Sequence, residues 1–396
     1  MYLRLFAILG FLFGAHLFLY YSAVRFLPIT GARFKKALFA SLSFLSVSFI
    51  VSAVLIRLDM NPLTRGLYLF SAFWSGLVIN LLMAAVLCWL AAPAAWVFGR
   101  ASLRGVSRAF FFAAFLFSAY GVWNAFHPGI KNVEVELPGL PPAWLDKTIV
   151  HISDVHLGAV YTPEYLMGIV GTINSLRPDV IFITGDLFDS ISRGDLTTFA
   201  GALNELKAGD GIFYVNGNHE NYIGINSVLS ALAMTKIRVL HDEAVWIDGV
   251  QILGVDYPDF GAYRDVKKVI LGRKGFKKGM PTILLYHTPT SIEQRAGTVS
   301  EDRTRTYWRP DVDFTAARDL GVNLQLSGHT HRGQIIPFVY LAGSLYRGYD
   351  YGLHREGGFS IYTSSGLGTV GPPMRTGNTP EIVVIRLKPG SEASKN

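Results

Sequence analysis

The sequence predicts a multi-span α-helical membrane domain followed by an α/β domain. Three observations carry this reading. The first third contains four long apolar stretches, the remainder alternates short apolar strands with helix-spaced segments, and the basic excess is confined to the first third. The 396 residues include 36 Lys and Arg and 29 Asp and Glu. Residues 1–128 hold ten of the basic residues and a single acid, Asp59. The net charge of +7 therefore belongs to the apolar region, and the rest is close to neutral. A nucleic-acid partner is not favoured by such a division. The single cysteine, Cys88, excludes a disulfide framework or a cysteine-based metal site within the chain.

The apolar stretches run from about Leu5 to Val24, Leu38 to Ile56, Leu67 to Ala92 and Ala109 to Phe126. Each has about 18 residues or more, enough to cross a hydrocarbon core. They are apolar on all faces, unlike the striped helices of a soluble bundle. Arg25, Arg33, Lys35 and Lys36 fall in the first connection and Arg100, Arg104 and Arg108 in the third, whereas the second has only Arg57 and Arg65, offset by Asp59. Positive charge stays on the cytoplasmic side, so four spans place the N-terminus and the C-terminal domain outside. His16 and Asn80 are expected to make helix–helix contacts.

Residues 129–147 read as a linker, with Val133–Leu137 alternating like an edge strand. The α/β domain is expected over residues 148–390, with a tail at 391–396. Thr148–Ile152 is its first strand. Thr162-Pro163-Glu164 starts a helix, with a capping oxygen, a proline in the first turn and an early acid. Leu166, Ile169, Val170, Ile173 and Leu176 continue it at helical spacing. Val180–Thr184 and Gly211–Val215 are buried strands flanking a helix at Asp195–Leu206. Strand pieces follow at Arg238–Leu240, Ala244–Ile247 and Val250–Val255, the last two joined by an Asp248-Gly249 turn. Thr282–Tyr286 and Asn323–Ser327 are strands on either side of a helix at Asp313–Leu320, and Phe359–Ser364 and Ile382–Leu387 come last.

Five of these strands end in residues that bind metals: Asp154 and His156; Asp186; Asn218 and His219; His287; His329 and His331. Open α/β sheets place ligand sites at that edge. Imidazole and carboxylate donors suit Mn, Fe, Zn or Co, and no thiolates are offered. A carboxylate using both oxygens can bridge two ions. Two ions about 3.5–4 Å apart can hold a hydroxide between them and clamp a phosphoryl group for in-line attack. Gly158, Gly185, Gly217 and Gly328 flank the ligands and permit tight turns. Each fragment alone is a common cap or turn; the ordered set, spread over about 180 residues, is not.

Asp154-x-His156, Gly185-Asp186-Leu-Phe-Asp189, Gly217-Asn218-His219-Glu220, His287 and Gly328-His329-Thr-His331 match in order the motifs of the calcineurin-like metallophosphoesterase superfamily, which the segment from about 147 to 390 resembles. Arg332-Gly-Gln-Ile, Gly366-Leu-Gly and Pro373–Glu381 are similar to the bacterial branch of membrane-associated or exported phosphoesterases, where multi-span N-termini also occur. The resemblance implies a four-layer α-β-β-α sandwich and two divalent ions, manganese favoured. It places Asp154, His156, Asp186 and His331 on one ion and Asp186, Asn218, His287 and His329 on the other, with Asp186 bridging. His219 would serve as general acid or phosphoryl stabiliser, oriented and charged by Asp189. Glu220, where this branch usually has Asp, is expected to matter little. Arg332, where Gly is usual, is a candidate for bidentate binding of substrate phosphate.

The expected function is thus a membrane-anchored binuclear phosphoesterase in a bacterial cytoplasmic membrane. Its partners would be the bilayer and a phosphorylated small-molecule or lipid substrate such as a phosphodiester. The alternatives are a cytoplasmic-face pyrophosphohydrolase of a nucleotide-activated glycolipid and an inactive membrane sensor or scaffold. The sequence does not specify oligomeric state. Lesser candidates are the polar loop Gly297–Arg309, the basic run Arg273–Lys278, read as a solvated loop, and the aromatic loop Tyr257, Phe260 and Tyr263.

Overall fold

A computed structural model describes residues 2–94, 100–191, 194–258, 264–273, 275–293 and 309–390. The chain divides into two compact units, one helical and one α/β. The helical unit contains α1 (Tyr2–Phe26), α2 (Ala32–Leu58), α3 (Pro62–Ala91) and α4 (Arg100–Ala125). All four contain a segment long and apolar enough to cross a membrane. They overrun the apolar stretches: Arg33, Lys35 and Lys36 stand in the first turns of α2 rather than in a connection, and Arg100, Arg104 and Arg108 lie within α4. Nothing obliges a helix to stop where the apolar run ends, because long basic side chains can reach from a helix end to the headgroups.

Three side-chain hydrogen bonds join helices of this unit to one another, among them those of His16 and Asn80 as expected. Trp74 Nε1 donates to His16 Nε2 at 3.0 Å, linking α3 to α1, and Asn80 Nδ2 donates to Ser118 Oγ at 2.8 Å, linking α3 to α4. Trp89 Nε1 donates to Ser22 Oγ at 3.0 Å. The unit also takes in Gly371–Thr376 from far down the chain. Met374 and Arg375 of that segment are wholly buried, and Asn124 Nδ2 holds the Arg375 carbonyl at 2.9 Å.

In the α/β unit, β1 (Gly129–Pro138), β12 (Glu381–Gly390), β2 (Ile149–Ile152), β3 (Val180–Thr184), β4 (Gly211–Val215) and β5 (Arg238–Val239) form one six-stranded sheet in that order. The second sheet runs β10 (Gly352–Glu356), β11 (Phe359–Thr363), β9 (Leu324–Ser327), β8 (Thr282–Leu285), β7 (Val250–Gly254) and β6 (Glu243–Ile247). Both are mixed: β2 to β5 are parallel with β12 antiparallel to β2, and β7, β8, β9 and β11 are parallel with antiparallel edges β6 and β10. Val180, Phe182 and Val215 of the first sheet share a core with Ile252, Ile283, Leu285 and Leu326 of the second. Helix α5 (Pro163–Ser175), α6 (Ala200–Asn204) and α8 (Ile225–Leu232) cover the outside of the first sheet, and α9 (Val266–Leu271) and α10 (Thr315–Asp319) that of the second. This is the four-layer arrangement.

Residues 129–147, expected as a linker, are built into the unit. All ten residues of β1 pair with β12, because Val133, Val135 and Leu137 alternate inward and complete the inter-sheet core. The expected capping oxygen of Thr162 is not used: the residue takes the N-cap position without a side-chain hydrogen bond. The helix expected over Asp195–Leu206 begins as a 3-10 turn, Leu196–Phe199, capped by Asp195, before α6. Asp248 and Gly249 both take positive φ, 43° and 85°, which fits the right-handed twist of the β6–β7 hairpin.

Candidate metal centre

Strands β2, β3, β4, β8 and β9 release their chains at one edge, where the inter-sheet core ends. The ligand-type residues stand two to four positions beyond each strand. They occupy cramped loops: Asp154, His156, Asp186, His329 and His331 all have positive φ, between 47° and 74°. A side chain in that region costs roughly 1–3 kcal/mol and persists only where its surroundings fix it. Here the loops brace one another. The N–H groups of Asp154 and His156 donate to the carbonyls of Gly185 and Asp186, both at 3.1 Å, and Gly368 N–H donates to the Asp154 carbonyl at 2.6 Å.

Three groups of buried donors result. Asp154, His156 and His331 offer ligand atoms within 4.8 Å of one another; so do His156, Asp186 and His219, and Asp186, His287 and His329. His156 Nε2 lies 3.0 Å from His331 Nε2, and His331 Nε2 lies 3.4 Å from Asp154 Oδ1. On the other side His287 Nε2 is 3.2 Å from Asp186 Oδ2, and Asn218 Oδ1 is 3.1 Å from His287 Nε2 and 2.9 Å from His329 Nδ1. Asp186 Oδ2 thus faces both sides, being also 3.9 Å from His156 Nε2. All seven residues expected as ligands converge.

The electrostatics fit divalent cations. Burial, reinforced by the neighbouring His219, pushes His156 down to about 3. Burial and the charge of His287 likewise lower His329. Both rings therefore keep neutral lone pairs at ordinary pH, the form that ligates metal. Burial would raise Asp186, but His287, His219 and His156 outweigh it and hold the carboxylate well below its usual range. Burial also opposes a charge on His287, yet Asp186, Asp154 and the Thr184 carbonyl raise it to about 9. Its Nδ1 is 2.7 Å from that carbonyl, which turns Nε2 toward Asp186. Burial dominates at Asp154, raising it to about 6. Compressed carboxylate, amide oxygen and imidazole donors without a thiolate form a donor set that fits Mn, Fe, Zn or Co.

His219 borders both sides, with Nε2 4.0 Å from Asp186 Oδ2. Burial disfavours its charge, but Asp186, Asp189 and Glu220 together hold its pKa above the ordinary imidazole value. Asp189 Oδ1 stands 3.7 Å from His219 Nδ1, an ion-pair distance, and the Ser190 N–H reaches the same nitrogen at 3.3 Å.

Glu220, which stands where this branch usually has Asp, has a bracing part that the sequence reading did not assign. Its wholly buried carboxylate accepts the N–H groups of Gly217 at 2.7 Å, Asp186 at 3.0 Å and Phe188 at 3.2 Å. It ties the β3 and β4 loops together, and its position at the first turn of α7 (Asn218–Ile223) as a capping-box acid was the available signal. Asn378, inside the Pro373–Glu381 motif, donates to the His331 carbonyl at 2.8 Å and the Arg332 carbonyl at 3.2 Å. The guanidinium of Arg332 lies over the Tyr351 ring, 4.3 Å from its centroid. Tyr257 is buried, 6.1 Å ring to ring from His287; Phe260 and Tyr263 lie outside the described residues, as do residues 297–308 of the polar loop and Lys274 of the basic run. Of that run, Arg273 Nε donates to the Asp242 carbonyl and Lys277 lies over Trp246, 5.6 Å from the ring centroid.

Comparison with known proteins bears on the same segment. The profile of the family described as Calcineurin-like phosphoesterase matches residues 147–333. A Helicobacter pylori protein named an uncharacterized metallophosphoesterase is 33% identical over 305 residues, covering 74% of each chain. A Campylobacter jejuni protein with a similar name is 33% identical over 267 residues, 66% of this chain and 63% of the relative. A Bos taurus protein named a transmembrane protein with metallophosphoesterase domain is 33% identical over 292 residues, 68% of this chain and 60% of the relative.

Proposed function

The chain belongs to the calcineurin-like metallophosphoesterases, metal-dependent hydrolases of phosphoesters, and on that premise we propose that it is a membrane-anchored, two-metal phosphoesterase. The observation that carries the two-metal reading is the place of Asp186 Oδ2, 3.9 Å from His156 Nε2 and 3.2 Å from His287 Nε2. Asp154, His156, Asp186 and His331 would hold one ion; Asp186, Asn218, His287 and His329 would hold the other. When bound, such a pair supplies a water-derived nucleophile at neutral pH and neutralises the phosphoryl oxygens.

The chain's own residues do the rest. His219, raised in pKa and facing Asp186, is placed to give a proton to the departing oxygen or to stabilise the phosphoryl group. Asp189 keeps it charged. The strained loops and Glu220 fix the ligand carboxylates before substrate arrives, so little reorganisation is needed. In this reading residues 1–128 are the membrane domain and 129–390, β1 included, the catalytic domain, and the favoured metal is manganese. The basic residues on α2 and α4 favour an outward-facing catalytic domain in a bacterial cytoplasmic membrane. The membrane helices favour a substrate at the bilayer, a lipid phosphodiester or lipid-linked phosphate.

The direct test uses the purified full chain, stripped with chelator and reloaded with Mn or Zn. Two ions per chain and turnover of aryl phosphodiesters or monoesters are expected. A single ion at saturation would overturn the two-metal reading, and absence of any turnover at full occupancy would favour a scaffold. Reporter fusions at the C-terminus read the side of the membrane; an inward signal would overturn the outward assignment.

A further inference from the structure

A cavity lies beside the proposed metal centre but is not lined by its ligand residues. It holds about 410 Å³ and is walled by Arg332, Ile336, Val339, Tyr340, Asp350 and Tyr351, among others. Arg332 directly follows His331, so this wall begins one residue, about 3.8 Å of chain, from the proposed ligand set. Its backbone is held in the left-handed region at φ 48°, and Asn378 grips its carbonyl. Its guanidinium makes no hydrogen bond or ion pair to any described residue; it is stacked on Tyr351. That ring is fixed in turn, since the Tyr351 hydroxyl donates to Glu381 Oε2 at 3.0 Å. The other oxygen of this buried Glu381 accepts from the Tyr362 hydroxyl at 3.0 Å and the Ser365 N–H at 3.1 Å. The acid of the cavity, Asp350, is buried, which raises its pKa, with the Arg332 charge acting in the opposite sense.

The opposite wall is apolar. It belongs to α11 (Phe338–Leu345), which buries none of its residues. Phe338 is 45% exposed, Tyr340 73% and Leu341 42%, so hydrocarbon surface continues outward from the cavity. A positioned guanidinium with unused N–H donors recognises phosphate oxygens, and a neighbouring apolar helix face gains by covering hydrocarbon.

We propose that this cavity and α11 form a subsite for the leaving half of a lipid-linked pyrophosphate: its second phosphate on Arg332 and its hydrocarbon chain along α11. The inference rests on the phosphoesterase reading and narrows its substrate. In the step implied, a water oxygen bonds to the terminal phosphorus as the bridging P–O bond breaks. The alkyl phosphate leaves with the bridging oxygen and the electron pair, and the water protons pass to the phosphate products and solvent. Arg332 meets the charge that appears on the leaving group.

The test uses the full chain in nanodiscs, with farnesyl pyrophosphate, inorganic pyrophosphate and bis-p-nitrophenyl phosphate as substrates. The ratio of kcat/KM for farnesyl pyrophosphate to that for the aryl diester cancels any loss of folded protein. It should fall roughly 10- to 100-fold in Arg332→Ala, as expected for a lost charged hydrogen bond, and should fall also in Leu341→Ser. Inorganic pyrophosphate should respond to the first substitution only. An unchanged ratio in Arg332→Ala overturns the subsite. A Leu341→Ser effect seen in nanodiscs but not in detergent assigns α11 to the bilayer and overturns the chain contact. A second readout needs no turnover: phenylglyoxal labelling of Arg332, read by peptide mass spectrometry on the chelator-treated chain. Farnesyl phosphate should protect Arg332 better than inorganic phosphate does. Equal protection, or none, overturns the proposal even if no substrate is hydrolysed; protection with no hydrolysis would leave the subsite standing and the phosphoesterase reading refuted.

Discussion

The carboxylate of Glu220 accepts the backbone N–H of Asp186 at 3.0 Å, so the residue after His219 holds the loop that carries the proposed bridging ligand. The same oxygen takes the Gly217 N–H, and the other takes the Phe188 N–H. Glu220→Gln keeps the shape but replaces one oxygen by an NH2 group that must face an N–H donor. The loss expected is about 1–3 kcal/mol, the cost of leaving a buried hydrogen-bonding group unsatisfied. Thermal unfolding of the variant should shift downward and its Mn affinity should fall with it. Equal unfolding and equal Mn binding would sink the bracing role.

Gly217 packs against the carboxylate of Asp186 itself. A Cβ there would lie 2.2 Å from Asp186 Oδ1 and 2.6 Å from the Asp186 nitrogen. The backbone of Gly217, at φ −108° and ψ −169°, is one that alanine also adopts. The effect of Gly217→Ala is therefore steric and aimed at Asp186. Metal affinity should fall roughly 10- to 100-fold, the range for disturbed partners of a metal ligand. Isothermal titration with Mn after chelation measures it; wild-type affinity with two ions bound would refute the close packing.

His151 supplies a pH dependence away from the proposed ligand atoms. It is wholly buried in β2, 2.8 Å from Thr184 Oγ1 and edge-on to Tyr362, and burial lowers its pKa to about 3. In the unfolded chain the ring titrates near 6.5. Between these values only the unfolded state takes up the proton, so stability is lost as pH falls below about 6.5, by up to ~1.4 kcal/mol per pH unit. His151→Gln should flatten that slope. The check is the difference in unfolding free energy between parent and variant, constant above pH 7 and closing in the variant's favour toward pH 4. A difference that does not change with pH would remove His151 as the source.

How much was legible follows from where each signal resides. The strand ends were legible because apolar runs stop at Asp, His or Asn, and the fold brings those five ends to one edge. His16 and Asn80 were legible because a polar group in an apolar helix has only neighbouring helices to bond. The bracing part of Glu220 had only its place as a capping-box acid to mark it, and Asn378 and Glu381 had no local mark, since their partners are backbone groups and hydroxyls 16 to 47 positions away. Helix α11 was missed because eight residues without a buried face give no periodic pattern. The edge strand within residues 129–147 was legible from the alternation of Val133, Val135 and Leu137, and β1 does stand at the sheet edge; its extension back to Gly129 was not, because Gly129–Asn132 are exposed and carry no alternation.

The pair His219 and Asp189 carries the last prediction. Burial lowers the tendency of His219 to charge, and Asp186, Asp189 and Glu220 overcome it. Asp186 belongs to the proposed ligand set and Glu220 is committed to backbone N–H groups, so Asp189, 3.7 Å from Nδ1, is the carboxylate whose effect on the ring a substitution can isolate. If protonated His219 assists departure of the leaving oxygen, kcat/KM should decline on the alkaline side as the ring loses its proton. Asp189→Asn removes the charge that raises the pKa, so the decline should begin at lower pH in that variant. His219→Ala should lose about 10²- to 10⁴-fold in rate, the range for general acid catalysis, while still binding two ions. The measurement is the pH profile of aryl diester hydrolysis for all three proteins. An unshifted profile in Asp189→Asn would exclude Asp189 as the charging residue, and full activity in His219→Ala would remove the ring from the reaction.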